Sequence, residues 1–152
     1  MSGGLNDTGV DARPASDRAG HAHRGRGLVV TGVAAAVAAM VTTTLVAALA
    51  QVVGVDFEVP TGGETIPLPG IAVVTGFFSL VGVAVAVALR RWSARPAEWF
   101  VRTTVSLTAI SLVPPLLAGA NAATTATLIG LHLVAATVMI PTLERTLRTA
   151  AA

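Results

Sequence analysis

The chain has no cysteine, no tyrosine and no lysine, since all ten of its basic residues are arginine. Without cysteine there is no disulfide, no thiolate nucleophile and no thiolate metal site. Without lysine the Gly62-Gly63 pair cannot belong to a phosphate-cradling loop of the Gly-x-x-x-x-Gly-Lys type. Charge is scarce as well. Charged residues make up 12% of the 152 and hydrophobic residues 53%, against roughly 25% charged in an ordinary soluble domain. So little charge on so apolar a chain excludes a water-solvated surface, and the expected solvent is lipid. A nucleic-acid partner is not expected either, because the arginines sit at the ends of apolar segments instead of along one face with stacking aromatics. Their natural partners are membrane lipids with anionic headgroups. The all-arginine basic set and the Ala/Val excess fit a GC-rich bacterial genome.

Four apolar runs follow a polar tail. Residues 1–26 have no apolar period and read as a disordered tail. Residues 27–148 form the membrane domain, with helices predicted at about 28–50, 70–89, 99–119 and 122–143, and 149–152 as a C-terminal tail. Each run is close to the 20 or so residues needed to cross a hydrocarbon core about 30 Å thick. The first run also ends in Ala48-Leu49-Ala50, which fits a signal-peptidase site, but it is longer than a signal h-region of about 7–15 residues. A retained first helix is expected, and a cleaved one is the alternative.

Arginine placement predicts the threading. Arg13, Arg18, Arg24 and Arg26 precede the first helix, Arg90, Arg91, Arg95 and Arg102 surround the second connection, and Arg145 and Arg148 follow the fourth helix. The first connection has Asp56, Glu58 and Glu64 but no arginine. The positive-inside rule then places both termini on the cytoplasmic side of a bacterial inner membrane. Arg90, Arg91, Trp92, Arg95, Trp99 and Arg102 form the expected headgroup interface, with Arg102 snorkelling back from one turn inside. In the first connection, apolar and acidic residues alternate from Val55 to Val59 beside Gly62-Gly63, which predicts a short extracytoplasmic β-hairpin. Its prolines limit it to edge pairing. Its three carboxylates read as a solvated acidic loop, or else as a cation or partner surface.

His132 is the only ionisable residue predicted near the bilayer centre, about 15 Å along the fourth helix. At 100° per residue, Asn121, Thr125 and Met139 share its face. In the third helix, Thr104, Thr108 and Ser111 make a hydroxyl stripe ending at Pro114-Pro115, where a kink or unwinding is expected. The carbonyls freed there, on Ile110 and Ser111, need donors from neighbouring helices. Thr42, Thr43, Thr44, Gln51, Thr75 and Ser79 are further polar candidates.

Two readings stay open for these residues. In one, the hydroxyls bond their own backbone and His132 makes a single locking hydrogen bond. In the other, His132, Asn121, Thr125, Thr108 and Ser111 line a polar cavity able to bind a ligand or pass a proton. One histidine is too few for a zinc or bis-histidine haem site, so neither metal nor cofactor is expected. No catalytic carboxylate or nucleophile elbow accompanies the membrane serines, so no catalytic residue is assigned.

Gly54-Val55-Asp56, Pro69-Gly70, Arg90-Arg91-Trp92 and His132-Leu133-Val134-Ala135-Ala136 running to Ile140-Pro141 resemble the four-helix actinobacterial membrane proteins of the domain of unknown function six-zero-six-nine. The likeness covers about Leu28 to Arg148. It implies a four-helix integral membrane protein without implying a mechanism. The expected fold is therefore an all-α, four-transmembrane-helix bundle. The expected role is non-enzymatic, acting through lipids, other membrane subunits or a homo-oligomer. A small transporter, channel or ligand-binding protein built around His132 is the alternative, and an enzyme acting on lipid substrates comes third. Small-residue spacing such as Gly32 to Ala36 is a candidate dimer contact.

Overall fold

A computed structural model of the protein describes residues 15–59 and 64–151. Five helices follow one another: α1 (Ala15–Val52), α2 (Leu68–Trp92), α3 (Pro96–Ser111), α4 (Val113–Leu117) and α5 (Ala122–Ala151). Helices α3 and α4 share one apolar span. The described residues thus contain four spans long and apolar enough to cross a membrane, Gly25–Val52, Leu68–Trp92, Pro96–Leu117 and Ala122–Ala150. Val30, Leu45, Phe77, Phe78, Ile110 and Leu117 are all exposed on them. An apolar surface on every side is what lipid, not water, tolerates.

Helix ends follow local chemistry. At the end of α1, Gly54 takes a left-handed φ of 96°. Val55 N–H then reaches Ala50 O at 2.9 Å and Gly54 N–H reaches Gln51 O at 3.0 Å, the paired bonds of a Schellman cap. Helix α2 opens on Pro67, Leu68 and Pro69, and α3 on Pro96 with Glu98 in its first turn. Both exploit positions where a missing N–H costs nothing. The break expected before Pro114-Pro115 falls at Leu112, whose N–H is shared between Thr108 O and Ala109 O at 3.2 and 3.3 Å. Two adjacent prolines withdraw two successive donors, and the chain restarts as α4. The single Pro141 leaves α5 continuous.

Two boundaries differ most from the sequence reading. Helix α1 begins at Ala15, so residues 15–26 are helical where a disordered tail is expected, while 1–14 lie outside the described residues. Hydropathy marks only the lipid-crossing part of a helix, and alanine and arginine carry the backbone pattern beyond it. Helix α5 likewise runs past Leu143 to Ala151, supported by an Arg148 Nη2 to Glu144 Oε1 ion pair at 2.6 Å, one turn apart.

Two buried clusters set the directions of the helices. One joins Leu28, Ala36, Val83, Ala86, Phe100, Leu143 and Leu147, and the other joins Ala47, Phe57, Ile71 and Leu131. Successive spans therefore run in alternate directions. Arg26, Arg90, Arg91, Arg95, Arg102, Arg145 and Arg148 lie beside the first cluster, at the arginine end. The connection from α1 to α2 covers the second cluster, at the loop end. Helix α1 packs chiefly on α2 and α5, and α3 closes the opposite side against the same two helices. Only 11% of the third span is buried, against 28% for each of the first two, so α3 and α4 are the most loosely held.

In the connection, β1 (Glu58–Val59) pairs antiparallel with β2 (Glu64–Thr65) for two residues each. The turn expected at Gly62-Gly63 lies outside the described residues. Outside this ladder the described elements are all helices, and the pairing extends no further than two residues on each side. Prolines at 60, 67 and 69 supply no N–H to extend a ladder.

Candidate functional site

Because α3 packs loosely, a cleft of about 430 Å³ remains between α2, α3 and α5. Its walls are mostly apolar, from Val85, Leu128, Leu131, Ala135, Ala136 and Met139, among others. Val74, Phe78 and Leu107 also line it and are about half exposed or more, so the cleft opens sideways onto the lipid-facing surface. Gly82 forms part of the α2 wall, where a Cβ would meet nothing closer than Met139 Cε at 4.0 Å.

Three of the five residues singled out as a polar site share this cleft: His132, Thr108 and Ser111. Thr75, Ser79 and Thr104 join them. The hydroxyls are largely turned to their own helices. Thr104 Oγ1 donates to Phe100 O and Ser111 Oγ to Thr108 O, each at 2.7 Å. His132 Nδ1 lies 2.8 Å from Leu128 O, one turn back. Among the described residues one hydroxyl pair links two helices, Thr43 of α1 to Thr75 of α2 at 3.3 Å. The donors expected across helices for the carbonyls of Ile110 and Ser111 do not come from these groups.

Asn121 and Thr125 lie elsewhere. Asn121 precedes α5, so the helical-wheel angle does not extend to it. Its Oδ1 accepts from Thr124 N–H at 2.8 Å, a cap on the helix start, and its carbonyl accepts from Thr125 N–H. Thr125 Oγ1 donates to Ala120 O at 3.4 Å. Apolar Leu128 and Leu131 stand between this group and His132.

Asn121 belongs instead to a strap at the loop end. Asp56 Oδ1 accepts from Glu58 N–H, Asn121 Nδ2 and Thr124 Oγ1, each at 3.3 Å. The Glu58 N–H, with these two side chains, holds the Asp56 carboxyl below the usual aspartate value despite some desolvation. The neighbouring Phe57 is fully buried among Ala47, Ile71 and Leu131, with a left-handed φ of 53°. Ile71 and Leu131 of this cluster, with Ile66 and Leu128 packed against it, also line the cleft. In the sequence, Phe57 shows only as one apolar member of an alternation. Neither its backbone nor the space beside Gly82 leaves a sequence signal.

At the arginine end, Trp92 and Trp99 are exposed and the Arg102 guanidinium lies 5.8 Å from the Trp99 ring centroid. Arg95 pairs with Glu98 at 3.6 Å on the surface. The expected headgroup residues thus stand together around the α2–α3 turn. The candidate dimer spacing at Gly32 and Ala36 is occupied within the chain, since Ala36 is buried and Gly32 faces Val83 and Leu143.

No curated protein and no solved structure matches the chain. The model of a family of unknown function, DUF6069, matches residues 23–149, which takes in the four spans but for the last residue of the fourth, together with the cleft and the strap, and the chain belongs to that family.

Proposed function

We propose that the protein is a non-enzymatic, multi-pass protein of the bacterial cytoplasmic membrane that holds a lipid-like ligand in the cleft between α2, α3 and α5. The observation that carries this reading is the cleft itself. Its volume falls in the range of small-molecule sites, roughly 300–1,000 Å³, its walls are apolar, and it opens at Val74, Phe78 and Leu107 where a molecule dissolved in the bilayer would enter. Among the described residues, His132 is the only ionisable side chain lining it. Binding needs no acid–base pair, whereas hydrolysis or group transfer would. A proton or ion path is less well supported, because Leu128 and Leu131 interrupt the polar groups between His132 and the loop end.

Gly82→Leu tests the reading. It removes a helix-interior glycine and pushes a side chain into the open space, so folding should survive while the cleft fills. Native mass spectrometry of protein released from mild detergent should find bound apolar molecules on the wild type and few on Gly82→Leu. Equal retention by both would count against the cleft. The arginine end should face the cytoplasm, with both termini on that side. Since cysteine is absent, single-cysteine variants give a clean topology assay. An impermeant maleimide should label Thr65→Cys in intact cells and Ser93→Cys only after lysis, and the opposite pattern would invert the threading.

A further inference from the structure

We infer that the cleft prefers a neutral amphiphile whose polar group is a hydroxyl, a long-chain alcohol or phenol, and that His132 Nε2 is the atom that accepts its hydrogen bond. This rests on the cleft being a ligand site. Among the described residues, no arginine, aspartate or glutamate lines the cleft. A phosphate, carboxylate or ammonium group drawn inside would lie in a low dielectric with no countercharge, which excludes ionised headgroups from the interior.

The polarity of the remaining groups is set by bonds already made. A carbonyl oxygen can only accept, so the 2.8 Å contact to Leu128 O requires the proton on His132 Nδ1. In the uncharged tautomer that this contact selects, Nε2 carries the lone pair. That nitrogen bonds no other group among the described residues, and no side-chain nitrogen or oxygen there is buried without a partner, so Nε2 is open to the cleft. Thr104 and Ser111 have spent their protons on Phe100 O and Thr108 O and likewise show lone pairs. A ketone, ester or ether brings only lone pairs of its own to these three groups. A hydroxyl donates to Nε2, and its oxygen can still accept from a rotating hydroxyl such as Thr108 or Ser79.

The test is a matched pair of photoreactive probes, hexadecanol with a mid-chain diazirine and its methyl ether, in phosphatidylethanolamine–phosphatidylglycerol vesicles holding the full-length protein. Crosslinks mapped to α2, α3 and α5 cleft residues should favour the alcohol by about fivefold, the ratio expected for one neutral hydrogen bond. His132→Phe should bring the two probes level while overall labelling persists, and His132→Gln, which restores an acceptor, should recover part of the preference. Equal labelling by alcohol and ether in the wild type overturns the inference but leaves the cleft as a ligand site. Absence of cleft labelling by either probe overturns both. The wild-type comparison needs no variant, so a misfolded His132 substitution would not protect the inference.

Discussion

Gly32 and Gly76 look alike in sequence, as mid-helix glycines in apolar spans, yet alanine should affect them in opposite directions. Each substitution gains about 1 kcal/mol of helix propensity. At Gly32 the new Cβ would meet Val83 Cγ2 at 2.7 Å, Val83 Cγ1 at 3.0 Å and Leu143 Cδ2 at 3.3 Å. Val83 is buried and β-branched, with one strongly favoured helical rotamer, and Leu143 is fully buried, so neither can turn aside. Helix α1 must then lift from α2 and α5 together, at the roughly 1–3 kcal/mol typical of overpacking. The net result is a loss of up to about 2 kcal/mol. At Gly76 all three near atoms belong to Met40, at 2.7, 3.1 and 3.4 Å, and a thioether chain with three rotatable bonds can swing away. Gly76→Ala should therefore be neutral or stabilising by up to about 1 kcal/mol. Unfolding of the purified protein in mild detergent, followed by circular dichroism against sodium dodecyl sulfate, should rank Gly76→Ala at or above wild type and Gly32→Ala below it. Adding Val83→Ala to Gly32→Ala should restore part of the loss, giving a favourable coupling in the double-mutant cycle. Gly32→Ala matching or exceeding Gly76→Ala would refute this account of the α1 interface.

Phe57→Ala should destabilise the loop end by about 3–5 kcal/mol, but Phe57→Gly should be the better tolerated of the two by about 1 kcal/mol, because the backbone there is left-handed and glycine alone accepts it freely. Thermal unfolding that ranks alanine above glycine would remove that strain argument. The Asp56 strap should respond to acid. Its carboxyl is lowered in the folded protein, so its contribution is present above the ordinary aspartate value of 3.8 and is lost as pH falls through the lower folded value. Amide exchange at Glu58 and Thr124 should quicken over that window in the wild type and show no such step in Asp56→Asn, whereas identical profiles would clear Asp56 of the role. Replacing Pro114 and Pro115 with alanine should let α3 run through Leu112 and gain helical signal by circular dichroism, and an unchanged signal would mean the break has another cause.

What could be read from the sequence was chemistry that acts within a few residues. Runs of apolar residues locate the four spans because the length needed to cross a bilayer is a property of the run alone. Pro114-Pro115 marks the break before α4 because the missing donors are its own. Extending the His132 face back to Asn121 failed because a helical wheel says nothing about where the helix begins, and Asn121 is the cap. Phe57 was unreadable for a different reason. A left-handed phenylalanine exists only where tertiary packing outweighs its local preference, and the packing partners, Ala47, Ile71 and Leu131, come from three separate helices.

The cleft follows from a division of labour between the spans. Alanine and glycine on α1, with Ala35, Ala36 and Ala39 buried and Gly32 against Val83, let that helix approach α2 and α5 closely. On α3 the same close approach is prevented. Phe100 alone is buried in it, and beyond that anchor the helix turns Val105, Leu107 and Ile110 outward before the prolines end it. A helix pinned at the arginine end and broken near the loop end cannot follow the surface of α2 and α5 along its whole length, and the space left is the cleft. Small side chains on the opposing walls, Gly82, Ala135 and Ala136, keep it open. In a bilayer such a space is filled either by protein or by something that dissolves in lipid. On the proposed function it is the second.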